Sequence, residues 1–194
     1  ISKFQNALMK NDTELIYILL LLNPRILNET NIYNTRDKIT QLVIPSTIPS
    51  IGDFCFFEYR ILTQIILPPS VTSIGMSAFR KCVALEKIII PSSVTSLGDY
   101  AFYSCSSLEN ITFESSSSLK SIGQFCFTKC YTLRQITIPS SVEFIGDNAF
   151  SFNSKCKISF EKQSSLVSIG DKAFIGCSSL KRIILPLIKT IGNN

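Results

Sequence analysis

Short stretches in which apolar and polar residues alternate recur along most of this chain. In the clearest copy, Lys87 to Ile90, the apolar residues Ile88 and Ile90 stand two positions apart and Pro91 follows. Alternation with a period of two predicts a strand of about four residues with one buried face. Proline ends such a strand because it has no N–H to donate to the ladder. Two apolar columns follow, comprising Leu42, Ile65, Ile88, Ile111, Ile136, Ile158 and Ile183, and then Ile44, Leu67, Ile90, Phe113, Ile138, Phe160 and Leu185.

An Ile-Gly or Leu-Gly pair recurs seven times with nearly constant spacing. The glycines occupy positions 52, 75, 98, 123, 146, 170 and 192, so the gaps are 23, 23, 25, 23, 24 and 22 residues. Self-similarity at such a period predicts a stacked repeat protein. We expect each glycine to adopt a backbone angle that other residues resist. Four aspartates after it are expected to cap the start of a short helical turn: Asp53, Asp99, Asp147 and Asp171.

A phenylalanine occupies one position of this turn in every complete repeat. It follows a small residue, and the column comprises Phe56, Phe79, Phe102, Phe127, Phe150 and Phe174. Six rings at one repeat position are predicted to stack as a continuous spine between the sheet and the outer wall. A ligand cage is the less favoured interpretation of these rings, because regularly repeated aromatics are typical of a core.

The whole unit, L-x-x-I-x-I-P-x-x-V-x-x-I-G-x-x-A-F-x-x-C, resembles the BspA-type leucine-rich repeat over residues 39–194. The resemblance implies an α/β fold, a right-handed leucine-rich repeat solenoid of about six and a half repeats. It also implies one parallel sheet on the concave face and short helical turns on the convex side. The family occurs in surface proteins of host-associated bacteria and in parasitic protists. One repeat departs from the pattern, since a residue is missing between Phe150 and Ile158 and Lys155-Cys156 replaces the usual leucine. The strand register there is an open question.

Residues 1–38 do not fit the repeat and are predicted to form an N-terminal helical cap over the first repeat. Asp12-Thr13-Glu14 can begin a helix, and the apolar run Leu15 to Leu22 is too short to span a bilayer. Solenoids need atypical caps to cover the terminal core, and part of a preceding domain is the alternative. The start at Ile1 and the end at Asn194, within a turn, predict a C-terminally truncated fragment.

Composition argues against catalysis and against nucleic-acid binding. The chain contains no histidine, which removes the commonest general base and metal ligand, and no phosphate-binding loop is present. We therefore expect no enzymatic activity, no cofactor and no metal. The net charge is +5 without a run of like charges, so we expect neither nucleic-acid binding nor direct membrane contact by this fragment. The seven cysteines are interpreted as structural thiols, and bridges among Cys82, Cys105 and Cys130 are left open.

The residues that alternate with the buried strand positions form the predicted binding face. One polar column comprises Gln41, Gln64, Lys87, Asn110, Gln135, Lys157 and Arg182, and its neighbour begins with the apolar residues Val43, Ile66 and Ile89. Polar side chains beside aliphatic area suit a protein partner, although cross-strand packing alone also favours these residue types. A second candidate is an aromatic group on the convex rim: Phe54, Phe57, Tyr100, Tyr103 and Phe125.

Two functions are consistent with this face. The family resemblance favours cell-surface adhesion or host-protein binding, with a host or matrix protein as partner and a surface or secreted location. The alternative is a cytoplasmic scaffold or spacer that mediates protein–protein interaction, consistent with unpaired cysteines. A third and remote hypothesis is an enzyme that carries these repeats elsewhere in a longer parent. The oligomeric state is left open.

Overall fold

The computed structural model describes residues 37, 39–180 and 190–193 of the 194-residue chain. These residues form a parallel β-solenoid of about six turns. In chain order, the strands are β1 (Gln41–Val43), β2 (Gln64–Ile66), β3 (Ser73–Ile74), β4 (Lys87–Ile90), β5 (Ser96–Leu97), β6 (Asn110–Phe113), β7 (Ser121–Ile122), β8 (Gln135–Ile138), β9 (Phe144–Ile145), β10 (Lys157–Phe160), β11 (Ser168–Ile169) and β12 (Thr190–Ile191).

The first sheet contains the strands that the alternating pattern predicts, in the order β1-β2-β4-β6-β8-β10. All its strand pairs are parallel. In β4 the exposed residues Lys87 and Ile89 alternate with the buried residues Ile88 and Ile90. The predicted strands and their inward faces are therefore confirmed within the described residues.

A second parallel sheet runs beside the first, in the order β12-β11-β9-β7-β5-β3. Its strands are only two residues long. In β3, β5, β7, β9 and β11 the residue before the repeat glycine is buried, as Leu97 is at 1% exposure, whereas Ile191 of β12 is 62% exposed. The sequence pattern predicted one strand per repeat. It missed this sheet because two residues give no periodicity to detect.

The seven residues after each repeat glycine, here called the turn segment, contain no helix anywhere in residues 39–180 and 190–193. The prediction of short helical turns is wrong for this part of the chain. Two left-handed residues interrupt each complete segment, and they are Phe54 and Glu58, Ser77 and Lys81, Tyr100 and Ser104, Phe125 and Lys129, Asn148 and Phe152, and Lys172 and Gly176. An α-helix cannot include them, because it requires negative φ throughout.

Hydrogen bonds of the turn segment run alternately within a repeat and between repeats. Ala101 N–H donates to Gly98 O at 3.2 Å and closes a tight turn, whereas Tyr100 N–H donates to Gln124 O of the next repeat at 2.8 Å. The turn segments therefore form a third ladder between successive repeats. This ladder satisfies backbone groups that a buried or close-packed chain must pair.

The repeat glycines from Gly75 onward are required by space, and not by a special backbone angle. A Cβ on Gly123 would lie 2.6 Å from Asp99 N and 2.6 Å from Gly98 C of the preceding repeat. Gly176 alone among the described glycines has a positive φ, of +73°. The prediction that these glycines supply an unusual angle is wrong, because close approach of successive repeats is the constraint.

The aspartates after these glycines do not cap helices, since the turn segments contain none. Their Oδ1 atoms instead accept the backbone N–H of the equivalent residue in the next repeat. Asp53 accepts from Met76 at 2.7 Å and Asp99 accepts from Gln124 at 2.8 Å. The prediction of an N-cap is therefore corrected to a bond between repeats, which the sequence alone does not distinguish.

The phenylalanine spine is confirmed. Rings of successive repeats stack with centroids 5.2 to 5.5 Å apart and interplanar angles of 6° to 19°, from Phe56 to Phe174. The four central rings are fully buried. The spine connects the repeats along the solenoid axis and is continuous across the described repeats.

The cysteine column forms a second buried line of contacts between repeats. Each thiol donates to the carbonyl oxygen of the spine phenylalanine in the preceding repeat, as Cys105 Sγ does to Phe79 O at 3.1 Å. Asn153 occupies this position in one repeat and donates through Nδ2 to Phe127 O at 2.8 Å. All seven cysteines lie within the described residues and are buried free thiols, so no bridge joins them.

The irregular repeat keeps its register. Cys156 is fully buried at the position that leucine holds in the other repeats, and Ile158 pairs with Ile136 in the parallel ladder between β10 and β8. The missing residue is thus absorbed between Cys156 and β10. The predicted helical cap over residues 1–38 lies outside the described residues, apart from residue 37. Among the residues that are described, none belongs to a helix long and apolar enough to cross a membrane.

Candidate binding surface

The predicted polar column is a continuous row on the outward face of the first sheet. Strand register places its members directly beside one another, in the order Gln41, Gln64, Lys87, Asn110, Gln135 and Lys157. All are exposed except Gln64, which is half-buried. The row forms because each residue is the first of its strand and the next residue points into the core. Arg182, the last predicted member, lies outside the described residues.

The predicted apolar patch is also assembled by the sheet. Val43 is 44% exposed, Ile66 50% and Ile89 58%. Val43 and Ile66 are register partners in the β1–β2 pair, and all three stand two residues after the polar row. The column then turns polar, because Thr112 follows Ile89 in register. Three large β-branched side chains thus form one apolar end of an otherwise polar face.

A shallow groove crosses this apolar end. Its lining includes Gln64, Ile66, Lys87, Ile89 and Glu114. The Glu114 carboxylate accepts a hydrogen bond from Ser92 N–H at 2.9 Å, so it is held at the rim. Most other repeats have proline at this position. The groove combines aliphatic area with a cation and a fixed carboxylate within a short distance along the sheet.

A column with charged residues of both signs lies next to the polar row, and the alternating pattern did not reveal it. The residue before each row member is Glu86, Glu109 or Arg134 in three successive repeats, and Arg134 Nη2 contacts Glu109 Oε2 at 3.0 Å. The face is therefore of mixed charge. Backbone bonds between these residues, such as Glu109 N–H to Glu86 O at 2.9 Å, continue the ladder. Counting one residue back from each strand start in the sequence would have revealed this column.

The second candidate of the sequence analysis is a compact cluster on the turn segments. The guanidinium of Arg80 lies over three rings, with Cζ 5.8 Å from the centroid of Phe57, 5.4 Å from Tyr100 and 5.2 Å from Tyr103. Tyr100 stacks on Phe125 at 4.8 Å and 6°. We call this group, with two lysines, the aromatic-cationic cluster: Phe57, Arg80, Lys81, Tyr100, Tyr103, Phe125 and Lys129.

The lysines of this cluster have different partners. Lys81 Nζ lies 5.7 Å from the Phe57 centroid and bonds Glu58 Oε1 at 2.7 Å. Lys129 Nζ lies 5.6 Å from the Tyr103 centroid, and hydrogen bonding to Tyr103 raises the pKa of Lys129. Phe54, the remaining ring of the predicted rim, is partly exposed and makes an edge contact with Phe57 at 6.1 Å. The rings thus pack between repeats around a cation.

The described residues offer no metal-binding group of three or more histidine, cysteine or acidic side chains. Burial raises the pKa of the cysteine thiols, to about 12 for Cys82, Cys130 and Cys156. Such thiols are protonated at neutral pH, and a protonated buried thiol is a poor nucleophile and a poor metal ligand. The chemistry of these cysteines is that of small apolar residues with one weak donor.

Comparison with protein families matches two overlapping stretches of the chain, residues 27–157 and 113–194, to the BspA type leucine rich repeat region, in six copies. The chain belongs to this family. Repeats of this family are generally non-enzymatic modules for protein–protein interaction. Comparison with curated proteins gives no match.

Solved structures with the same fold are bacterial leucine-rich repeat proteins. With the T. pallidum protein the identity is 30% and the TM-score 0.67, over 74% of this chain and 66% of that one. The Eubacterium ventriosum protein has 27% identity and a TM-score of 0.70, over 79% and 41%. The Bacteroides ovatus protein has 30% identity and a TM-score of 0.58, over 79% and 45%. The chain therefore spans less than two thirds of the length of each.

Proposed function

We propose that this BspA-type repeat domain is a cell-surface module that binds a host or matrix protein through the outward face of its first sheet. The observation that carries the proposal is the juxtaposition of three exposed β-branched residues, Val43, Ile66 and Ile89, with an unbroken polar row. Aliphatic area of this kind contributes affinity once it is desolvated, and the amide and lysine side chains provide register.

The sheet is well suited to such binding because it is rigid before the partner arrives. Its strands are joined to one another in parallel ladders, and their inward side chains belong to the same buried core as the phenylalanine spine. A preorganised surface loses little conformational entropy on association. The bound partner is expected to lie over the groove beside Ile66 and Ile89, where apolar area, Lys87 and Glu114 come together.

The apolar contribution is tested with a double variant. Ile66→Thr and Ile89→Thr keep β-branched residues, which strands favour, but remove exposed aliphatic area. The matched control is Phe144→Thr, which removes a 48% exposed ring from β9 in the second sheet. Binding to a panel of extracellular-matrix proteins is measured by biolayer interferometry. We expect the double variant to bind at least tenfold more weakly than the wild type, and the control to bind with unchanged affinity. Equal affinities in all three proteins would contradict the use of the first sheet.

The polar contribution is tested by charge reversal. A variant with Lys87→Glu and Gln135→Glu changes two members of the exposed row. Lys155→Glu is the control, since Lys155 is exposed but does not belong to a strand. We expect binding to be lost in the double variant with an unchanged melting temperature. Retained binding would exclude the polar row from the interface.

An intracellular scaffold is the alternative, and the seven buried free thiols favour it. Disulfides are common in oxidising compartments and rare in the cytosol, so free thiols fit a reducing location. Labelling intact cells that express the tagged full-length protein with a membrane-impermeant biotin reagent separates the two. Labelling supports the surface module, whereas protection in intact cells and labelling after lysis supports the scaffold.

A further inference from the structure

The aromatic-cationic cluster contains two cations that no acidic side chain of the described residues neutralises. The ion pairs in the described part of the chain join Glu58 to Lys81 and Arg60, Glu143 to Lys120, and Glu109 to Arg134. Arg80 and Lys129 therefore have no carboxylate within 4 Å among the described residues. Arg80 is also half-buried, and its Nε atom is buried without a hydrogen-bond partner there.

The packing of the rings determines which part of each ring remains available. Arg80 comes from the repeat before Tyr103 and Lys129 from the repeat after it, and both lie over that ring. Tyr100 contacts Arg80 and stacks on Phe125. The ring faces, which carry the negative part of the quadrupole, are thus occupied by cations and by other rings. The ring edges, which carry its positive part, remain.

We propose that the aromatic-cationic cluster is a second docking surface, and that it binds an acidic protein segment whose carboxylate pairs with Arg80. Unpaired cations and ring edges both attract an anion, so the charge of the cluster is complementary to such a segment. Tyrosine and arginine are also the residues that most often dominate binding energy at protein interfaces. The guanidinium is already held by three rings, so little side-chain freedom remains to be lost on binding.

A protein segment fits this cluster better than a sulfated polysaccharide does. The cluster presents three cations, one of which already pairs with Glu58, and aromatic rings separate them. A polyanion gains affinity from many neighbouring positive charges. In an acidic protein segment, by contrast, single carboxylates lie between apolar side chains, and this arrangement is complementary to cations that lie between aromatic rings. The cluster shares no residue with the first-sheet face, so this proposal stands independently of the proposed function.

The test uses the whole chain labelled with ¹⁵N and two synthetic peptides, Gly-Glu-Leu-Glu-Leu-Glu-Gly and its counterpart with glutamine in place of glutamate. We expect the glutamate peptide to shift the Arg80 Nε–H signal and the backbone amides of Tyr100 and Tyr103, and to bind at least tenfold more tightly than the glutamine peptide. Equal effects of the two peptides would overturn the proposal. Shifts confined to Ile66, Ile89 and the polar row would also overturn it, while favouring the first-sheet face.

Variants then assign the effect to Arg80. Arg80→Gln is compared with Lys172→Gln, which removes an exposed charge from another turn segment. We expect at least a tenfold loss of affinity for the glutamate peptide in the first and no change in the second; equal losses would overturn the proposal. Arg80→Lys keeps the charge without the planar fork and should weaken binding less than Arg80→Gln. If a heparin oligosaccharide shifts these signals and the glutamate peptide does not, the proposal is overturned, and the partner of the cluster is a polysaccharide.

Discussion

The side-chain amide of Asn153 donates a hydrogen bond of 2.8 Å to the carbonyl oxygen of Phe127. In the preceding repeat, the thiol of Cys130 makes the equivalent bond to Phe102 O at 3.2 Å. Asn153 thus substitutes for a cysteine in the buried column. The substitution leaves its Oδ1 atom buried without a partner among the described residues.

Replacing this asparagine by the column residue should stabilise the protein. Asn153→Cys retains a donor for Phe127 O and removes the unpaired Oδ1 atom, whose burial costs about 1–3 kcal/mol. We expect a gain of about 1 kcal/mol in the free energy of unfolding, measured by chemical denaturation. The reverse change, Cys130→Asn, is the control and should destabilise. A loss of stability in Asn153→Cys would show that the amide has a favourable role beyond this bond.

Truncation within the phenylalanine spine should be among the most damaging changes to the fold. Phe102 is fully buried and stacks on Phe79 at 5.2 Å and Phe127 at 5.3 Å. Phe102→Ala should cost about 3–5 kcal/mol, because it leaves a cavity between two repeats. Thermal denaturation followed by circular dichroism measures the effect. The exposed Phe144 provides the control, and similar melting temperatures for Phe102→Ala and Phe144→Ala would exclude the spine as a stabilising element.

Substitution of two glycines should destabilise the protein to different degrees. Gly123→Ala places a Cβ 2.6 Å from the backbone of the preceding repeat, so it should destabilise by at least about 2 kcal/mol. Gly176 holds a left-handed position that Lys81, Ser104 and Lys129 fill in other repeats. Gly176→Asn should therefore cost less than about 1 kcal/mol, since asparagine tolerates this conformation. Urea denaturation of both variants checks the order, and the reverse order would contradict the space argument for the repeat glycines.

Alkaline pH should weaken the fold through the cysteines. Burial raises the pKa of Cys82 to about 12 from an ordinary value near 9, and the other six thiols shift in the same direction. Below pH 9 both the folded and the unfolded states keep the thiols protonated, so this stabilisation is fully present. Above pH 9 the unfolded state loses its thiol protons first. Each buried thiol then lowers the free energy of unfolding by up to about 1.4 kcal/mol per pH unit.

The measurement is the urea midpoint between pH 7 and pH 10.5. Tyrosine and lysine also titrate near the upper end of this range, so the wild type is compared with Cys105→Ala. Cys105 is fully buried, and removing its thiol should make the decline with pH shallower. Identical slopes for the two proteins would show that the thiols do not cause the alkaline loss of stability.

Much of this fold can be predicted from the sequence, because equivalent positions in successive repeats carry the same type of residue. Ile88 and Ile90 of β4, the spine residue Phe102 and the cysteine column are recognisable from spacing alone, since burial selects the same residue type in successive repeats. The second sheet was not predicted, because a pair such as Ser96–Leu97 is too short to show a period. The turn conformation was not predicted either, because a left-handed Tyr100 or Ser104 leaves no compositional signal.

The candidate binding face was only partly predictable. The polar row and the patch of Val43, Ile66 and Ile89 follow from alternation, so the sequence assigned them to one face. Glu86 and the contact between Arg134 and Glu109 were missed, because these residues precede the alternating stretch. The position of Arg80 among three rings depends on residues about 23 positions away in both directions, and composition alone does not align them.

In-register pairing also gives the first sheet a fixed scale of length. Lys87 and Lys157 belong to one row and are separated by three strand-to-strand steps, through Asn110 and Gln135. Strands in a sheet are about 4.8 Å apart, so these two charges lie about 14 Å from each other along the solenoid axis. A partner of this face must therefore present its complementary groups at multiples of the strand-to-strand distance. Inserting or deleting a whole repeat between the two lysines would change their separation by one such distance.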